Sequence, residues 1–344
     1  MKKNFICFLK VCISGAIALV ILSLFSLLYD YTGCHVQNMN GDTDYKWRNN
    51  QYSSTMKEGL SWFRFDKNGF NNIDDTSFEE RPVDILLMGS SHMEARQIKK
   101  NENVGALLNE YIPDLRTYNI GISGHNIYTC VKNIQAACNV YAPLQYVVLE
   151  TDNIMLEERS LQQVINGEYS EIPSYDLGFL YFVQKNIPAV KSLYKSLSEW
   201  KDISAWRTVE YIDKTEIGEL EKDTITDELK EEIDKFLLFA VSSIPDRCKL
   251  IIFYHPSVGI NERGEFVNDD NLQYVTLFAN ACRENDIIFV NGMEDFVNLY
   301  ENRSILAKGF INTAVGTGHL NRYGHQVIAY HLSEVIRKDL EDRR

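Results

Sequence analysis

The sequence lacks the cysteine and histidine spacings that build metal centres or disulfide-stapled domains. Its seven cysteines include no CxxC pair and no zinc-finger spacing. Cys130 and Cys138 share a predicted helix about 12 Å apart, whereas a disulfide needs Cα atoms within about 7 Å. His319, His325 and His331 recur every six residues, which spreads them around a helix. The sequence therefore predicts no disulfide framework, no metal site and no cofactor, while pairing among the other exported cysteines stays open.

Repeats, low-complexity tracts and a surplus of basic residues are also missing. The absence of repeats removes the main support for an adhesin or a stalk protein. Asp and Glu number 48 against 35 Lys and Arg, which gives a formal net charge of −13. A nucleic-acid partner needs a basic face, so no nucleic acid is expected. Hydrophobic residues make up 45% of the chain, an ordinary fraction that can supply a sizeable core.

A single long apolar run is present, and it lies near the N-terminus. Val11 to Tyr29 contains no charged residue, and at about 1.5 Å per residue it is long enough to cross the hydrocarbon core. Three lysines precede the run and Asp30 follows it, so the positive-inside tendency places the N-terminus in the cytoplasm. We expect residues 1–32 to be a cytoplasmic tip and single-pass anchor that contacts the membrane through residues 11–29. The rest of the chain is then extracytoplasmic.

A cleaved secretory signal is the alternative to an anchor. Its apolar region is usually shorter and ends in a small-x-small site, which does not follow here. Tyr31-Thr32-Gly33-Cys34 only faintly resembles a lipoprotein box. With either an anchor or a cleaved signal, all residues after the apolar run are exported.

Short apolar runs alternate with helical patterns after residue 82. The runs are nearly continuous in apolar residues, which is typical of strands covered on both faces. Their alternation with helices predicts an α/β fold, a doubly wound parallel sheet with right-handed crossovers. The predicted strands are Val83–Met88, Thr117–Ile122, Tyr146–Glu150, Leu250–Tyr254 and Ile287–Val290, and the predicted helices are Ile127–Val140, Leu229–Ala240 with Thr226 as N-cap, Leu272–Glu284 and Gly324–Leu340.

Two segments stand outside this alternation. Residues 33–82 are polar and aromatic without a sustained period, which predicts a stalk and a loop-rich approach to a domain at 83–344. Residues 155–223 are too long for a simple crossover and predict a helical insertion, either a lid over the site or a segment whose aromatics only pack it onto the sheet. Those aromatics are Tyr169, Tyr175, Phe179, Tyr181, Phe182, Trp200 and Trp206.

The motifs that carry chemistry lie at the ends of the predicted strands. Gly89-Ser90-Ser91 ends the first core strand and Ser123-Gly124 follows the second, at the edge where open parallel sheets bind ligands. Gly318-His319-Leu320-Asn321 precedes the last helix. A serine and a distant histidine base within hydrogen-bond reach would form a nucleophile pair. Taken alone, Gly-Ser-Ser fits a strand-to-helix turn with serine as a helix cap better than it fits a nucleophile.

In this order the motifs resemble the SGNH (GDSL-type) hydrolase family, over about Val83 to Leu340. The resemblance implies a flavodoxin-like sheet of five parallel strands, the SGNH fold. It implies Ser91 as nucleophile, His319 as base, and the amides of Ser91 and Gly124 as oxyanion donors.

Two positions depart from the family pattern. Where the family has Gly-x-Asn-Asp, this chain has Asp152 at the Asn position and Asn153 one residue later. Either Asn153 completes the oxyanion hole after a shift of the loop, or Asp152 is turned away and two amides suffice. The family's Asp-x-x-His acid is replaced by Gly316, so a backbone carbonyl or a carboxylate from elsewhere must hold the ring of His319.

Several polar residues beside the motifs are expected to line a pocket. They are Ser90, His92, His125, Asp152 and Asn321. His325 and His331 are expected to lie on the surface of the last helix or to pack beneath it.

The resemblance implies acyl-ester chemistry, and the anchor implies a substrate near the membrane. We therefore expect an extracytoplasmic serine esterase or O-acyltransferase that acts on acyl groups, acetyl above all, of a cell-surface polysaccharide. A transferase would need a membrane-embedded acyl-donor partner. The alternative is a catalytically weak or inactive glycan-binding or assembly protein of an envelope polysaccharide pathway.

Overall fold

The protein is described as a computed structural model. The described residues are 2–31, 35–37, 45–74, 76–169, 187–190, 193, 226–261, 263–268, 271–313 and 316–343.

Helices and strands alternate along most of the described chain. The helices are α1 (Lys2–Tyr29), α2 (Ser91–Glu94), α3 (Val104–Tyr111), α4 (Ile127–Tyr141), α5 (Glu158–Ile165), α6 (Asp227–Ser242), α7 (Leu272–Glu284), α8 (Met293–Arg303) and α9 (Arg322–Asp342), with a 3₁₀ turn at Lys100–Glu102. The strands are β1 (Asp30–Tyr31), β2 (His35–Gln37), β3 (Tyr45–Trp47), β4 (Tyr52–Thr55), β5 (Ser61–Arg64), β6 (Ile85–Met88), β7 (Thr117–Asn119), β8 (Tyr146–Thr151), β9 (Lys249–Tyr254), β10 (Val258–Ile260), β11 (Phe266–Asn268) and β12 (Ile288–Asn291).

A five-stranded parallel sheet forms the centre of the molecule. Its order is β12-β9-β8-β6-β7, and each neighbouring pair is parallel. Numbered along the chain, this is the 2-1-3-4-5 order of flavodoxin-like folds, in which the winding reverses between the first and third strands. The predicted α/β fold class is confirmed, and the five apolar runs form the five strands.

Two hydrophobic clusters cover the two faces of this sheet. One packs α4, α5, α6 and α7 on the side chains of Leu86, Val147 and Leu149. The other packs α3, α8 and α9 on Ile85 and Val148, which point to the opposite face. All six side chains of β8 are buried, which explains why its sequence shows no polar alternation.

Side-chain caps set the start of the main helices. Thr226 accepts a hydrogen bond from the N–H of Leu229, as predicted for α6, and Asn126 caps α4 in the same way. Cys130 and Cys138 both lie on α4 and are buried.

Residues 33–82 do not form the predicted stalk in the part that is described. Helix α1 runs directly into β1, which pairs with β4, and β4 pairs with β5 in an antiparallel hairpin. Trp47 of β3 stacks on Phe65 with ring centroids 5.3 Å apart, and its indole N–H donates to Glu94 of α2. The sequence signal was weak because each strand spans only four residues or fewer, too short to show a clear period.

The predicted insertion is described only at residues 155–169, 187–190 and 193. Helix α5 packs against α4 and α6, and Tyr169 is buried with its ring 5.3 Å from that of Tyr128. For Tyr169, this contact fits the alternative in which the aromatic residues only pack the insertion onto the sheet. The other aromatics of the insertion lie outside the described residues.

Arg116 ties the approach segment to the central sheet. Its fully buried guanidinium donates to the carbonyl oxygens of Thr76, Ser77 and Arg81 and lies 3.2 Å from the carboxylate of Asp74.

We predict that Arg116→Met lowers the free energy of unfolding by about 3–5 kcal/mol, because it leaves three carbonyl oxygens and the half-buried carboxylate of Asp74 without their partner. Arg81→Met is the matched control, since the Arg81 side chain is 46% exposed and its ion pair with Asp74 is 3.6 Å long. The control should cost about 0–1 kcal/mol. Urea denaturation measures both, and equal losses would contradict the prediction.

Candidate active site

Ser91 stands where the winding of the sheet reverses. It is the first residue of α2, directly after β6, whose neighbours in the sheet are β7 and β8. Ligands of open α/β sheets bind at this crevice, beyond the carboxyl ends of the strands. As the first helical residue, Ser91 has an N–H without an acceptor inside the helix. The fold therefore presents both its hydroxyl and its amide to the ligand edge.

A line of hydrogen bonds joins Ser91 to His319 and Glu58. Oγ of Ser91 lies 2.8 Å from Nε2 of His319, and Nδ1 of His319 lies 2.7 Å from Oε2 of Glu58. A carboxylate only accepts hydrogen bonds, so Nδ1 carries the proton and Nε2 is left to accept from the serine. Nucleophile, base and orienting acid thus occupy the geometry of a catalytic triad.

Glu58 contacts the His319 loop at two points. Besides the ring contact, Oε1 of Glu58 accepts the backbone N–H of His319 at 2.6 Å. Gly318 makes this approach possible: it has φ +91, and a Cβ at this position would lie 2.2 Å from Oε1 of Glu58. The carboxylate that holds the base therefore comes from the β4–β5 turn, and Gly316 needs no side chain for that task.

The turn that carries Glu58 is itself held in place. Asn312 accepts the N–H of Gly59 at 3.0 Å and donates to the carbonyl of Met56 at 2.7 Å. Thr55 donates to the carbonyl of Glu58 at 3.0 Å. Gly59 has φ +68 and lies against the backbone of Gln97. These contacts fix the carboxylate from both sides of the turn.

The charge of Glu58 is stabilised by its partner. Burial raises the pKa of Glu58, but the hydrogen bonds and the charge of His319 lower the pKa by more, so it lies below the ordinary value of a glutamate. Glu58 is therefore ionised at neutral pH and can stabilise an imidazolium on His319.

A buried pair supports the turn before the nucleophile. Oε2 of Glu150 accepts the N–H of Ser90 at 2.7 Å, and Oε1 of Glu150 lies 2.7 Å from Nε2 of His255. Burial raises the pKa of Glu150 and lowers the pKa of His255, and both shifts favour the uncharged forms. Gly89 lets Glu150 come this close, because a Cβ there would lie 2.4 Å from its Oε2.

His92 connects the His319 loop to Asp152. Its Nδ1 accepts the N–H of Leu320 at 3.2 Å, and its Nε2 faces the Asp152 carboxylate at 3.6 Å. Burial lowers the pKa of His92 to about 4, so the ring is neutral and presents the Nε2 proton to Asp152. The interaction with this ring lowers the pKa of Asp152. The Asp152 carboxylate is thus occupied by His92, and its side chain remains 44% exposed.

Two of the predicted oxyanion donors, Gly124 and Asn153, lie on loops outside the helices and strands. Gly124 has φ +89 and is exposed, with no atom within 4 Å of a Cβ placed there. Its neighbour Ser123 donates its N–H and hydroxyl to the buried carboxylate of Glu94 on α2. Asn153 is exposed, and its Oδ1 accepts the N–H of Met155 at 2.8 Å. The oxyanion roles of Ser91, Gly124 and Asn153 remain predictions.

The other predicted pocket residues take structural positions. Oγ of Ser90 accepts the N–H of His92 as the cap of α2, and the Asn321 side chain caps α9 and donates to the carbonyls of Leu306 and Gly309. His125 lies half-buried on the Ser123–Gly124 turn, with its N–H bonded to the carbonyl of Ile122 at 3.2 Å.

The histidines of α9 are part of its packing. His325 is fully buried, and His331 pairs with Asp295 of α8 at 2.5 Å. Among the described residues, no group of three or more His, Cys, Asp and Glu side chains is placed to hold a metal ion.

Sequence reasoning missed the acids that organise the site. Glu58 lies in a polar segment with no strand-end motif, and its partner is 261 residues away. Glu94 and Glu150 are buried acids, on α2 and β8. Glu150 carried a signal: a carboxylate inside an otherwise apolar strand seldom stays buried without a hydrogen-bond partner.

Comparison with known proteins gives matches among solved structures only. No protein-family model matches the chain, and no curated protein gives a significant match. An acetyl xylan esterase aligns at 14% identity over 74% of this chain and 100% of that chain, with a TM-score of 0.41. A member of the lipolytic G-D-S-L family from Veillonella parvula aligns at 13% identity over 74% and 97%, with a TM-score of 0.38. A two-domain esterase active on acetylated mannans aligns at 11% identity over 75% of this chain and 49% of that chain, with a TM-score of 0.40.

These solved structures include members of the family that the motifs resemble. The identities and TM-scores are low, so the chemistry of this chain is inferred from its own geometry.

We predict that Gly59→Ala lowers turnover about 10²-fold, because the added Cβ would lie 2.1 Å from the carbonyl of Gln97 and displace the turn that carries Glu58. Gly264→Ala is the matched control: Gly264 has φ +75, but no atom lies within 4 Å of its Cβ position. Ester hydrolysis by the two purified variants measures the effect. Equal activity in both would show that the position of the turn does not matter.

Proposed function

We propose that this chain is a serine esterase or O-acyltransferase that forms an acyl-enzyme on Ser91. The observation that carries the proposal is the line of contacts from Ser91 through His319 to Glu58, at 2.8 and 2.7 Å. The pattern combines a nucleophile, a base whose Nε2 faces that nucleophile and an acid that fixes the tautomer of the base.

The reaction follows from these positions. Nε2 of His319 takes the hydroxyl proton as Oγ of Ser91 attacks the acyl carbonyl, and Glu58 stabilises the imidazolium that forms. His319 then gives the proton to the leaving alkoxide, and the acyl group stays on Ser91. Water resolves the acyl-enzyme in an esterase, and a sugar hydroxyl resolves it in a transferase. In both cases His319 removes the proton of the attacking group.

The developing negative charge needs donors at the same edge of the sheet. We assign this role to the backbone N–H groups of Ser91 and Gly124, with Asn153 as a third donor. The loss of one such donor typically costs about 10²–10³-fold in rate. Asp152 is paired with His92, which supports the reading that its carboxylate is turned from the oxyanion.

The substrate that we propose is an acylated cell-surface polysaccharide outside the membrane. Helix α1 supports the location, since residues Asn4–Tyr29 are long and apolar enough to span a bilayer. A cavity of about 370 Å³ beside Asp152 supports the proposal that the substrate is a sugar polymer, because tyrosine rings and amide or carboxylate groups suit a polyhydroxylated ligand. Its polar and aromatic lining residues are Asp152, Asn153, Tyr254, Ser257, Asn271 and Tyr274. In a transferase, a membrane-embedded partner would supply the acyl group.

A non-catalytic glycan-binding protein is the second candidate. Asp152 favours it, because a carboxylate stands where the family has an oxyanion-stabilising amide. The triad geometry disfavours it, since a binding protein has no need for a base aligned on a serine.

We predict that the full chain in detergent hydrolyses p-nitrophenyl acetate and that Ser91→Ala and His319→Ala both abolish this turnover. Mass spectrometry of wild type should find an acetyl group on Ser91. Ser242→Ala, an exposed serine of α6, is the control and should keep full activity. If all proteins fold alike and wild type shows neither turnover nor adduct, the binding protein becomes the better account.

A further inference from the structure

The end of the apolar helix lies next to the turn that carries Glu58. In the register of β1 with β4, Asp30 pairs with Thr55, the last residue before that turn. The indole N–H of Trp62 on β5 donates to the carbonyl of Leu28 at 2.9 Å. The hairpin that supplies the orienting acid is therefore bonded directly to the last turn of α1.

Helix α1 is about as long as a bilayer is thick, so it leaves no spacer between the bilayer and the domain. Its 28 residues span about 42 Å at 1.5 Å per residue, against about 30 Å for a hydrocarbon core and 40–45 Å with the headgroups. Ser26 is only 7% exposed, while Phe25 and Leu28 beside it are exposed. The domain thus already covers one side of the helix at the level where the headgroups begin.

An apolar groove opens beside the same turn. It has a volume of about 750 Å³, and its lining includes Leu60, Phe310 and Ile311 together with Gly316 of the His319 loop. Leu60 is 52% exposed and Ile311 is 97% exposed. Exposed large apolar side chains around a groove mark an interaction surface.

The charged and aromatic groups of the groove suit a lipid surface. Lys99 and Arg322 are exposed lining residues, with Glu102 near them. Tyr323 also lines the groove, and the Arg322 guanidinium lies 4.6 Å from its ring centroid. Cations and tyrosines beside apolar side chains are typical of segments that rest in the headgroup region.

We infer that this groove face rests on the outer surface of the bilayer that holds α1, so that the triad meets ester groups presented at that surface. The inference rests on the proposed function for the chemistry and on α1 as an anchor. Its own support is the continuity of the groove with the anchor through the β4–β5 hairpin. The predicted stalk would have held the site away from the membrane, whereas the observed hairpin keeps it at the membrane.

The test compares two labelled positions in the full chain. Ile311→Cys lies on the groove face, and Leu144→Cys precedes β8 at the opposite edge of the sheet, where Leu144 is 39% exposed. Each is made with Cys7, Cys12 and Cys34 replaced by serine, labelled with a small fluorophore and reconstituted into phosphatidylcholine–phosphatidylglycerol vesicles. Some of the lipid carries a nitroxide quencher near the top of the acyl chain.

We expect the lipid nitroxide to quench the label at position 311 at least about threefold more than the label at 144, because an interfacial face enters the headgroup region by about 5–10 Å. Equal quenching in vesicles that carry the protein would overturn the inference and leave the anchor in place. Failure of the protein to float with vesicles would overturn both. Turnover of p-nitrophenyl acetate by the same samples tests the proposed function separately, since this ester is soluble in water.

Discussion

The bidentate contact between Glu58 and His319 is the interaction on which the rest of the site depends. It fixes the backbone and the ring of the base at once, at 2.6 and 2.7 Å. A base held at only one of these points could rotate away from Ser91, and its tautomer would be undefined. Because Glu58 lies on the hairpin that follows the apolar helix, the triad is complete only when the N-terminal segment is folded onto the α/β domain. Helix α1, the hairpin and the active site are thus joined by direct contacts.

The sheet contributes a rigid platform under this contact. Parallel strands end at a common edge, and the reversal of winding between β6 and β8 opens the crevice in which Ser91 stands. Buried acids then tie the loops of that edge together: Glu150 supports the Ser90 backbone, and Glu94 joins α2 to Ser123 and Trp47. Because the uncharged forms of Glu150 and His255 are favoured, Glu150 can hold the Ser90 backbone without placing a second full negative charge beneath the nucleophile.

Residues with a local signal could be predicted from the sequence, and residues defined by long-range contacts could not. The five core strands could be predicted because strands buried on both faces appear in the sequence as apolar runs. The start of α6 at Thr226 could be predicted because capping is a local interaction. Ser91 and His319 were predicted from motifs, and Gly316 indicated that either a backbone carbonyl or a carboxylate from elsewhere must hold the ring of His319. No local sequence pattern identifies Glu58. It can act on His319 only because Gly318, a glycine with positive φ, lets it approach a loop that is far away in sequence.

The rate at which a fluorophosphonate labels Ser91 tests this account most directly, because labelling needs the activated serine and no particular substrate. The comparison is wild type against Glu58→Gln, with Glu110→Gln, at an exposed position of α3, as a control outside the triad and the groove. We predict labelling about 10²–10⁴-fold slower in Glu58→Gln, because an amide cannot hold the same tautomer of His319, and an unchanged rate in the control. Equal labelling of wild type and Glu58→Gln, with both proteins folded, would contradict the claim that Glu58 completes the triad.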